Sequence, residues 1–272
     1  MTVPGLKFGI STLPRLHHPQ GGTDLISLWE GDIEIMAEGP AWESPREAVR
    51  VWAEALKGHP GSRSLHGPVW DVNLATGRYP GLRARSLLIY RDYLEFAAQL
   101  GAGYLVAHTH ICSAPVFNRS ESQKLAAEAL SALTFQGTRF GVKVAVENVG
   151  YGNSCLFNEE EFCSLFKEIP GIVALLDVGH AHLNGWDIPG VIRKLDRSLG
   201  AMHLHDNRGL LDDHLPLGDG LISWTPIFRA IEDLPSPPGL TLEYDTPFAN
   251  RILQDARSFG DQGLVLERGA AD

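Results

Sequence analysis

Histidines and carboxylates are concentrated in one part of the sequence, between Leu175 and Gly220. Five of the eleven histidines of the chain lie in this stretch, interleaved with aspartates in the segments L-L-D-V-G-H-A-H and M-H-L-H-D-N-R-G-L-L-D-D-H. Neutral imidazole and carboxylate groups together make up the ligand sets of zinc, manganese and iron sites. The stretch therefore predicts a metal centre, which requires further ligands from elsewhere in the chain.

Two motifs in this stretch have spacings that suit metal ligands. Asp177 and His180 form D-x-x-H, which places the second side chain one turn beyond the first. Asp212 and His214 form D-x-H, which can bind one ion from a single extended segment. Glycines follow at positions 218 and 220, and they allow this loop to fold back tightly. Both motifs therefore predict ligands that lie in loops rather than in strands.

Eight short apolar runs, each followed by an amphipathic helical stretch, supply the elements that position these residues. Eight parallel strands with crossover helices close into a barrel. The sequence therefore predicts one (β/α)8 TIM-barrel domain over residues 1–272, with a tail of uncertain order over 259–272. An open doubly wound sheet is the alternative, but no glycine-rich phosphate fingerprint follows the first run. The predicted strands span 7–11, 32–37, 63–66, 105–108, 142–147, 173–177, 201–203 and 240–243.

Metal-capable side chains stand at the predicted C-terminal ends of six consecutive strands, the third to the eighth. These residues are His66, His108, Glu147, Asp177, His203 and Glu243. The C-terminal ends of the strands form the face on which barrel active sites are built. One such histidine alone is typical of a buried structural residue, but six candidates in succession favour a metal site.

The loop residues His180, Asp212 and His214 bring the number of candidate ligands to nine. Four ligands suffice for one ion, so nine predict two or three ions. Alternatively, part of the surplus orients the ligands through hydrogen bonds or binds substrate. Asp206 and Asn207 are further candidates for orienting the ligand histidines.

Three residues near these strand ends are predicted to bind substrate. Trp70 lies in the loop after the third strand, on the face that carries the candidate ligands. His110 and His205 alternate with His108 and His203, so they point the same way along their strands but lie one step farther out. They are predicted to be substrate contacts or residues of the rim of the site.

The composition narrows the class of partner and the compartment. The chain is 44% hydrophobic and 21% charged, which is typical of a globular protein. It has no apolar run of the length of a membrane span and no signal-peptide pattern at its start. Three cysteines without C-x-x-C spacing predict no disulfide framework, and hence a cytoplasmic protein. The net charge of −10 argues against a generally basic nucleic-acid surface, although a local basic groove is compatible with it.

The segments that carry the candidate ligands resemble the xylose isomerase-like TIM-barrel superfamily and, within it, the endonuclease IV branch (AP endonuclease family 2). The similarity spans residues 62–245 and rests on H-G-P-V-W-D-V-N-L-A, V-A-H, V-E-N, L-L-D-V-G-H, M-H-L-H-D-N, D-D-H-L-P-L-G-D-G and L-E. Members of that branch bind three zinc ions through nine residues, all of which have counterparts in this chain. The resemblance implies a first ion at His66, His108 and Glu147, a second at a bridging Glu147 with Asp177, His203 and Glu243, and a third at His180, Asp212 and His214.

The resemblance also implies a zinc-dependent phosphoester hydrolase in which Glu147 would bridge ions and orient the attacking hydroxide, with Mn²⁺ or another divalent ion as an alternative metal. Glu147 and Glu243 are the candidate catalytic residues. The substrate is expected to be abasic DNA or a smaller nucleotide-like phosphodiester, and the smaller one suits the acidic composition better. Trp70 stands where the branch inserts bulky residues into DNA. The alternative is a sugar or sugar-phosphate isomerase or epimerase with a single ion on Glu147, Asp177, His203 and Glu243, whose glutamates would transfer protons.

Overall fold

The strands form a closed barrel, which the computed structural model describes over residues 6–111 and 115–262. The strands are β1 (Phe8–Ser11), β2 (Ile33–Met36), β3 (Arg63–His66), β4 (Tyr104–Ala107), β5 (Lys143–Glu147), β6 (Val173–Asp177), β7 (Leu199–Leu204) and β8 (Gly239–Leu242). They follow one another in sequence order around the barrel, and β1 pairs in parallel with both β2 and β8. The predicted (β/α)8 TIM barrel is therefore confirmed.

Helices connect successive strands around the outside of the barrel. In the described part of the chain they are α1 (Thr23–Ile26), α2 (Pro45–Ala55), α3 (Pro80–Gln99), α4 (Arg119–Phe140), α5 (Glu159–Glu168), α6 (Val178–Leu183), α7 (Ile188–Leu195), α8 (Trp224–Glu232) and α9 (Ala249–Gln262). Single turns of 3₁₀ helix supplement them at Leu13–Arg15, Pro40–Trp42, Gly152–Ser154, Asp196–Ser198 and Thr246–Phe248. Each loop that leaves the C-terminal end of a strand is thus anchored by a helix or turn.

Capping residues fix where these helices begin and end. The Asn158 side chain accepts the N–H of Glu161, and the Glu161 carboxylate accepts the N–H of Asn158, so α5 starts with a complete capping box. Asn118 caps α4, since its side chain accepts the backbone N–H of Glu121. The same helix stops at Gly141, whose φ of 69° is left-handed and therefore suits glycine. Local sequence chemistry accordingly sets the helix lengths.

Two helices, α6 and α9, differ from the sequence prediction. Helix α6 directly follows β6 and was not predicted, because V-G-H-A-H-L is poor in strong helix formers. Helix α9 continues to Gln262, so residues 259–262 of the tail of uncertain order are helical. The rest of that tail, 263–272, lies outside the described residues.

Side chains alternate along each strand between the barrel interior and the surrounding helices. On β2, Ile33 and Ile35 belong to the main apolar core between strands and helices, whereas Glu34 points into the barrel. The interior contains a separate small apolar cluster of Val106, Ala145, Leu175 and Ala201. The polar side chains at the C-terminal ends of the strands therefore stand above a packed floor rather than over a pore.

Two expectations from composition concern membrane spans and disulfide bonds. Over 6–111 and 115–262, none of the helices is both long and apolar enough to cross a bilayer. Cys155 and Cys163 are free thiols, while Cys112 lies outside the described residues.

Candidate metal centre

The structure brings all nine predicted ligands together at the C-terminal end of the barrel. Six come from β3 to β8 or from the residue directly after the strand: His66, His108, Glu147, Asp177, His203 and Glu243. His180 lies on α6, and Asp212 and His214 lie in the loop between β7 and α8. Because the strands are parallel and in register, side chains from distant parts of the sequence converge on one face.

A first group of ligand atoms surrounds the carboxylate of Glu147. The His108 Nε2 atom lies 2.9 Å from Glu147 Oε2, and His66 Nε2 lies 3.5 Å from the same oxygen. His66 Nδ1 is 2.9 Å from the carbonyl oxygen of Gly67, so Nδ1 carries the proton and donates it to that oxygen. In the neutral ring the Nε2 lone pair of His66 then faces Glu147, so a cation or a second ring proton would stabilise this pair of acceptors.

A second group surrounds His203. Its Nδ1 atom lies 3.3 Å from Glu243 Oε2, 3.5 Å from Glu147 Oε2 and 3.8 Å from Asp177 Oδ2. Among the described residues, neither His203 Nδ1 nor Glu243 Oε1 has a hydrogen-bond partner, although both atoms are buried. A buried imidazole nitrogen facing three carboxylates fits a divalent cation.

A third group is built around Asp212. Its Oδ2 atom lies 2.9 Å from His180 Nε2 and 3.3 Å from His214 Nε2. His214 Nδ1 donates to the carbonyl oxygen of Glu243 at 2.9 Å, which leaves Nε2 as the nitrogen that faces Asp212. His180 Nδ1 is also 3.1 Å from Glu147 Oε1. The third group is therefore continuous with the first through the two oxygens of Glu147.

The ionisation of these groups reflects their mutual charges. Burial alone would raise the pKa of Glu147, but His108, His180 and His66 hold it well below its usual range. Burial likewise opposes a charge on His203, yet Glu243 and the other nearby carboxylates raise the pKa of His203 well above its usual range. In the protein without metal, protons on histidine thus supply the positive charge that the carboxylates require, and bound cations can take their place.

His205 lies deeper than the sequence analysis predicted. It is fully buried, its Nε2 atom lies 3.0 Å from Asp177 Oδ2, and its ring stacks on His214 with centroids 3.9 Å apart. The loop after β7 covers the strand end, because Asp206 pairs with Leu215 in an antiparallel bridge. The predicted substrate contact of His205 stays a prediction that its burial does not favour, and its position places it among the candidate ligands.

His110 is also more deeply buried than the sequence predicted. It is 2% exposed, and both ring nitrogens are engaged by the protein: Nε2 lies 2.7 Å from the carbonyl oxygen of Ser154, and Nδ1 lies 2.9 Å from Thr109 Oγ1. The segment after β5 that carries Ser154 folds over the end of β4. His110 therefore supports this segment, and its predicted contact with substrate stays a prediction that these bonds do not favour.

Trp70 lies at the mouth of the site and is 53% exposed. The carboxylate of Glu38 accepts the backbone N–H groups of Val69 and Trp70, at 2.6 and 3.2 Å, and so fixes the loop after β3. Trp70 borders both cavities that open at this face. Its predicted role in substrate binding stays a prediction, with a position that suits it.

Asp206 organises the loop that carries Asp212 and His214. Its carboxylate accepts four N–H groups within 3.0 Å, from Asn207, Gly218, Ile222 and the indole of Trp224. The predicted role in orienting ligand histidines is therefore indirect, since Asp206 bonds to loop backbone. Asn207 instead lies 2.9 Å from His182.

Glu34 is a residue of the site that the sequence analysis missed. Its Oε1 atom lies 2.7 Å from His203 Nε2, and its Oε2 atom accepts the hydroxyl of Ser64 at 2.8 Å. The signal was present in the alternation I-E-I on β2, which directs the middle residue to the face opposite the two isoleucines.

Two cavities open beside the ligands. The smaller cavity, called the metal pocket because seven candidate ligands line it, has a volume of about 150 Å³. Its lining residues are Leu13, Leu16, Met36, Glu38, His66, Val69, Trp70, His108, Glu147, His180, Asp212, His214 and Glu243. The adjoining groove has a volume of about 840 Å³ and shares Glu38 and Trp70 with the metal pocket. Its lining includes Arg46 and Arg85, together with Trp42, Tyr93 and Phe96. The acidic residues Glu43, Asp71 and Asp92 line it as well.

A closed parallel barrel with clustered histidines and carboxylates at the C-terminal ends of its strands defines a TIM-barrel protein with a candidate metal centre. The model of one family, the xylose isomerase-like TIM barrel, matches residues 22–261. The chain belongs to this family.

Its curated relatives are distant. The uncharacterized protein MJ1614 of Methanocaldococcus jannaschii is 26% identical over 232 residues, which is 80% of this chain and 85% of the relative. A probable endonuclease 4 of Chloroflexus aggregans is 27% identical over 203 residues, 68% of this chain and 70% of the relative. Endonuclease 4 proteins are therefore among the relatives, at low identity.

The solved structures that it resembles include several sugar epimerases. A D-tagatose 3-epimerase-like protein has a TM-score of 0.78 and 21% identity, with 94% of this chain and 98% of the other covered. The IOLI protein, whose structure contains a zinc atom, has a TM-score of 0.74 and 18% identity, with 94% and 95% covered. At these identities the likeness establishes the fold alone.

Proposed function

We propose that this protein is a metal-dependent phosphoester hydrolase of the endonuclease IV type, with two or three divalent ions, zinc being the expected metal and Mn²⁺ an alternative. The observation that carries the proposal is the third group, His180, Asp212 and His214, beyond the four-residue set of a single-ion site. Asp212 Oδ2 lies 2.9 Å from His180 and 3.3 Å from His214. A one-ion enzyme has no need of three more convergent ligands.

Divalent ions at this centre would supply an acidified water molecule and positive charge for a phosphoryl group. The protein's own part is to fix the ligands. Glu147 connects the groups, since Oε2 faces His108 and Oε1 faces His180. Glu243 faces His203 and His214 with Oε2, at 3.3 and 3.7 Å. These two glutamates, which line the metal pocket, are the proposed catalytic residues.

The part of the pocket lining that lies outside the candidate ligand set supports a substrate other than a free sugar. It consists of Leu13, Leu16, Met36, Val69 and Trp70. The remaining lining residue outside the predicted ligand set, Glu38, already accepts two backbone N–H groups with one oxygen. Sugar hydroxyls against these residues would lose hydrogen bonds to water with few replacements, which disfavours them.

The adjoining groove supports a substrate that extends beyond the reacting group. Arg46 and Arg85 line it, and neither forms an ion pair within the described residues. Guanidinium groups bind phosphate in a bidentate manner, and Trp70 offers a surface for stacking between the two cavities. A small nucleotide-like phosphodiester suits this arrangement and the net charge of −10; abasic DNA is the larger alternative.

A sugar or sugar-phosphate epimerase or isomerase is the second candidate. It is supported by Glu147 and Glu243, which face the same His203 nitrogen at 3.5 and 3.3 Å and could transfer protons on either side of a sugar. In the sugar-phosphate version the phosphate would have to reach Arg46 and Arg85 in the adjoining groove, because no lysine or arginine is among the described residues that line the metal pocket.

The test is to load the purified protein with zinc and to measure three activities side by side. These are hydrolysis of bis(p-nitrophenyl) phosphate, cleavage of an oligonucleotide with one abasic site, and epimerisation of ketohexoses. The proposal expects hydrolysis of the small diester that is abolished by a chelator and restored by zinc. Epimerisation without hydrolysis would contradict it and favour the second candidate, whereas cleavage of the oligonucleotide alone would identify DNA as substrate.

A further inference from the structure

The strongest polar feature that the proposed chemistry does not use is a carboxylate buried inside the barrel. Glu34 on β2 is 1% exposed and belongs to none of the three ligand groups. No lysine or arginine of the described residues pairs with it. A buried carboxylate is costly unless hydrogen bonds or charges compensate it, so its contacts indicate what it does.

The contacts of Glu34 lead to a single ligand of the metal centre. Oε2 accepts the hydroxyl of Ser64, its register partner on β3. Oε1 lies 2.7 Å from His203 Nε2, across the barrel interior, since β1 and β8 separate β2 from β7. The second contact joins residues 169 positions apart in the chain.

This contact decides which nitrogen of His203 carries the proton. A carboxylate only accepts hydrogen bonds, so Nε2 must be protonated to make the contact. In the neutral ring the lone pair is then on Nδ1, the atom that lies 3.3 to 3.8 Å from Glu243, Glu147 and Asp177. The opposite tautomer would direct an N–H at the place where a cation is needed.

We propose that Glu34 is a positioning residue that selects the metal-binding tautomer of His203 and fixes the orientation of its ring. Carboxylate–histidine–metal arrangements of this kind act through the ligand and not on the substrate. Ser64 fixes the carboxylate in turn. The inference rests on the proposed metal centre, but it concerns metal binding and not the reaction that follows.

The first test uses the unmodified protein. In the zinc-loaded chain with ¹⁵N-labelled histidine, long-range ¹H–¹⁵N correlation spectra identify the protonated nitrogen of each ring. We expect a proton on Nε2 of His203 and zinc on Nδ1. A proton on Nδ1 would overturn the inference, whether or not any variant folds.

The second test compares Glu34→Gln with Ser64→Ala. The neutral amide of glutamine keeps the volume of the carboxylate. Its oxygen accepts the Nε2–H of His203 more weakly than a carboxylate does. If its NH₂ group donates to Nε2 instead, the ring proton must move to Nδ1. Loss of such a partner typically weakens metal binding about 10- to 100-fold. We expect that loss for one ion only, measured by competition with a zinc-chelating dye, and less than about threefold for Ser64→Ala, which leaves the contact with His203 in place.

The outcomes separate this inference from the proposed function. If the wild-type protein binds no zinc, the metal centre itself is wrong. If it binds zinc and Glu34→Gln binds every ion as tightly as wild type with an unchanged His203 spectrum, the metal centre stands and the role of Glu34 is refuted. Equal weakening of all ions would also refute it, because the proposed effect acts through His203 alone.

Discussion

His180 Nε2 and Asp212 Oδ2 lie 2.9 Å apart, although the two residues are 32 positions apart and reach the site from a helix and from a loop. Asp177 places the histidine, because its carboxylate caps α6 by accepting the N–H of His180 at 2.6 Å. Asp206 positions Asp212 by anchoring the loop after β7. The end of β6, the cap of α6 and the loop anchor thus bring together a pair that belongs to the third group of candidate ligands.

Replacing Asp212 tests that extension. In Asp212→Asn the central oxygen of the third group loses its charge, so we expect one fewer zinc ion per chain. Phosphodiester turnover should fall by about 100-fold or more, the scale on which removing one group that stabilises transition-state charge acts. Elemental analysis and steady-state assays measure the two effects.

The matched control is Asp213→Asn. Asp213 is the neighbouring carboxylate, but its contact is with the backbone N–H of Arg208 at 3.1 Å, and it is absent from the ligand groups of the described residues. Its replacement should leave the zinc content unchanged. Equal zinc content in both variants would contradict the assignment of the third group.

Gly220 allows the loop that carries Asp212 and His214 to close on Asp206. A Cβ atom at this position would lie 2.3 Å from Asp206 Oδ1 and 2.5 Å from the carbonyl oxygen of Asn207. Gly220→Ala should therefore lower the free energy of unfolding by about 1–3 kcal/mol, as overpacking does, and reduce occupancy of the third ion. Urea denaturation and zinc analysis measure these effects.

Gly81→Ala serves as the control for that substitution. A Cβ atom at position 81, in α3, would meet nothing within 4 Å. It should leave the free energy of unfolding unchanged or raise it by less than about 1 kcal/mol, because alanine loses less backbone freedom than glycine but position 81 is only the second residue of α3. If both variants were as stable as wild type, with full zinc content, the anchoring role of Asp206 would be wrong.

The arginines of the groove should affect binding more than turnover. For a dinucleotide-like phosphodiester, we expect the double replacement of Arg46 and Arg85 by alanine to raise KM about tenfold and change kcat less than twofold, because interactions remote from the reacting group contribute uniform binding. Arg50→Ala is the control, since Arg50 lies one turn further along α2 and pairs with Glu47. An unchanged KM in the double variant would exclude the groove from substrate binding.

Metal removal should destabilise the fold. Buried carboxylates that share a cation lose that compensation when a chelator removes it. A ligand at about 100 times its Kd stabilises a protein by about 2.7 kcal/mol, which corresponds to a rise of roughly 5–10 °C in Tm for a chain of this size. Calorimetry with EDTA and then with excess zinc measures the shift, which should be smaller in Asp212→Asn. A Tm insensitive to both reagents would count against a structural contribution from the ions.

The barrel was predictable from sequence because its strands are buried on both faces and end abruptly in polar residues. Arg63–His66 and Val173–Asp177 have the predicted bounds for that reason. The convergence of the candidate ligands was predictable too, since the C-terminal ends of parallel strands meet on one face. Glu34 was missed because it lies within a strand, and the prediction of ligands considered residues at the ends of strands.

The differences from the sequence prediction concern loops that fold over strand ends. His205 and His110 have the predicted direction along their strands, but loops cover both, one fixed by the bridge of Asp206 to Leu215 and the other carrying Ser154. Such covering depends on long-range contacts and has no local pattern. Helix α6 was missed for a related reason, since it depends on the cap from Asp177 rather than on helix-forming residues.

The zinc content of the purified wild-type chain, measured after dialysis against buffer with a weak chelator, tests the central claim most directly. Two or three ions per chain are predicted, because His180, Asp212 and His214 form a ligand group in addition to the one around His203. A single tightly bound ion, with Asp212→Asn binding as much zinc as wild type, would contradict the multinuclear centre and the hydrolase built on it.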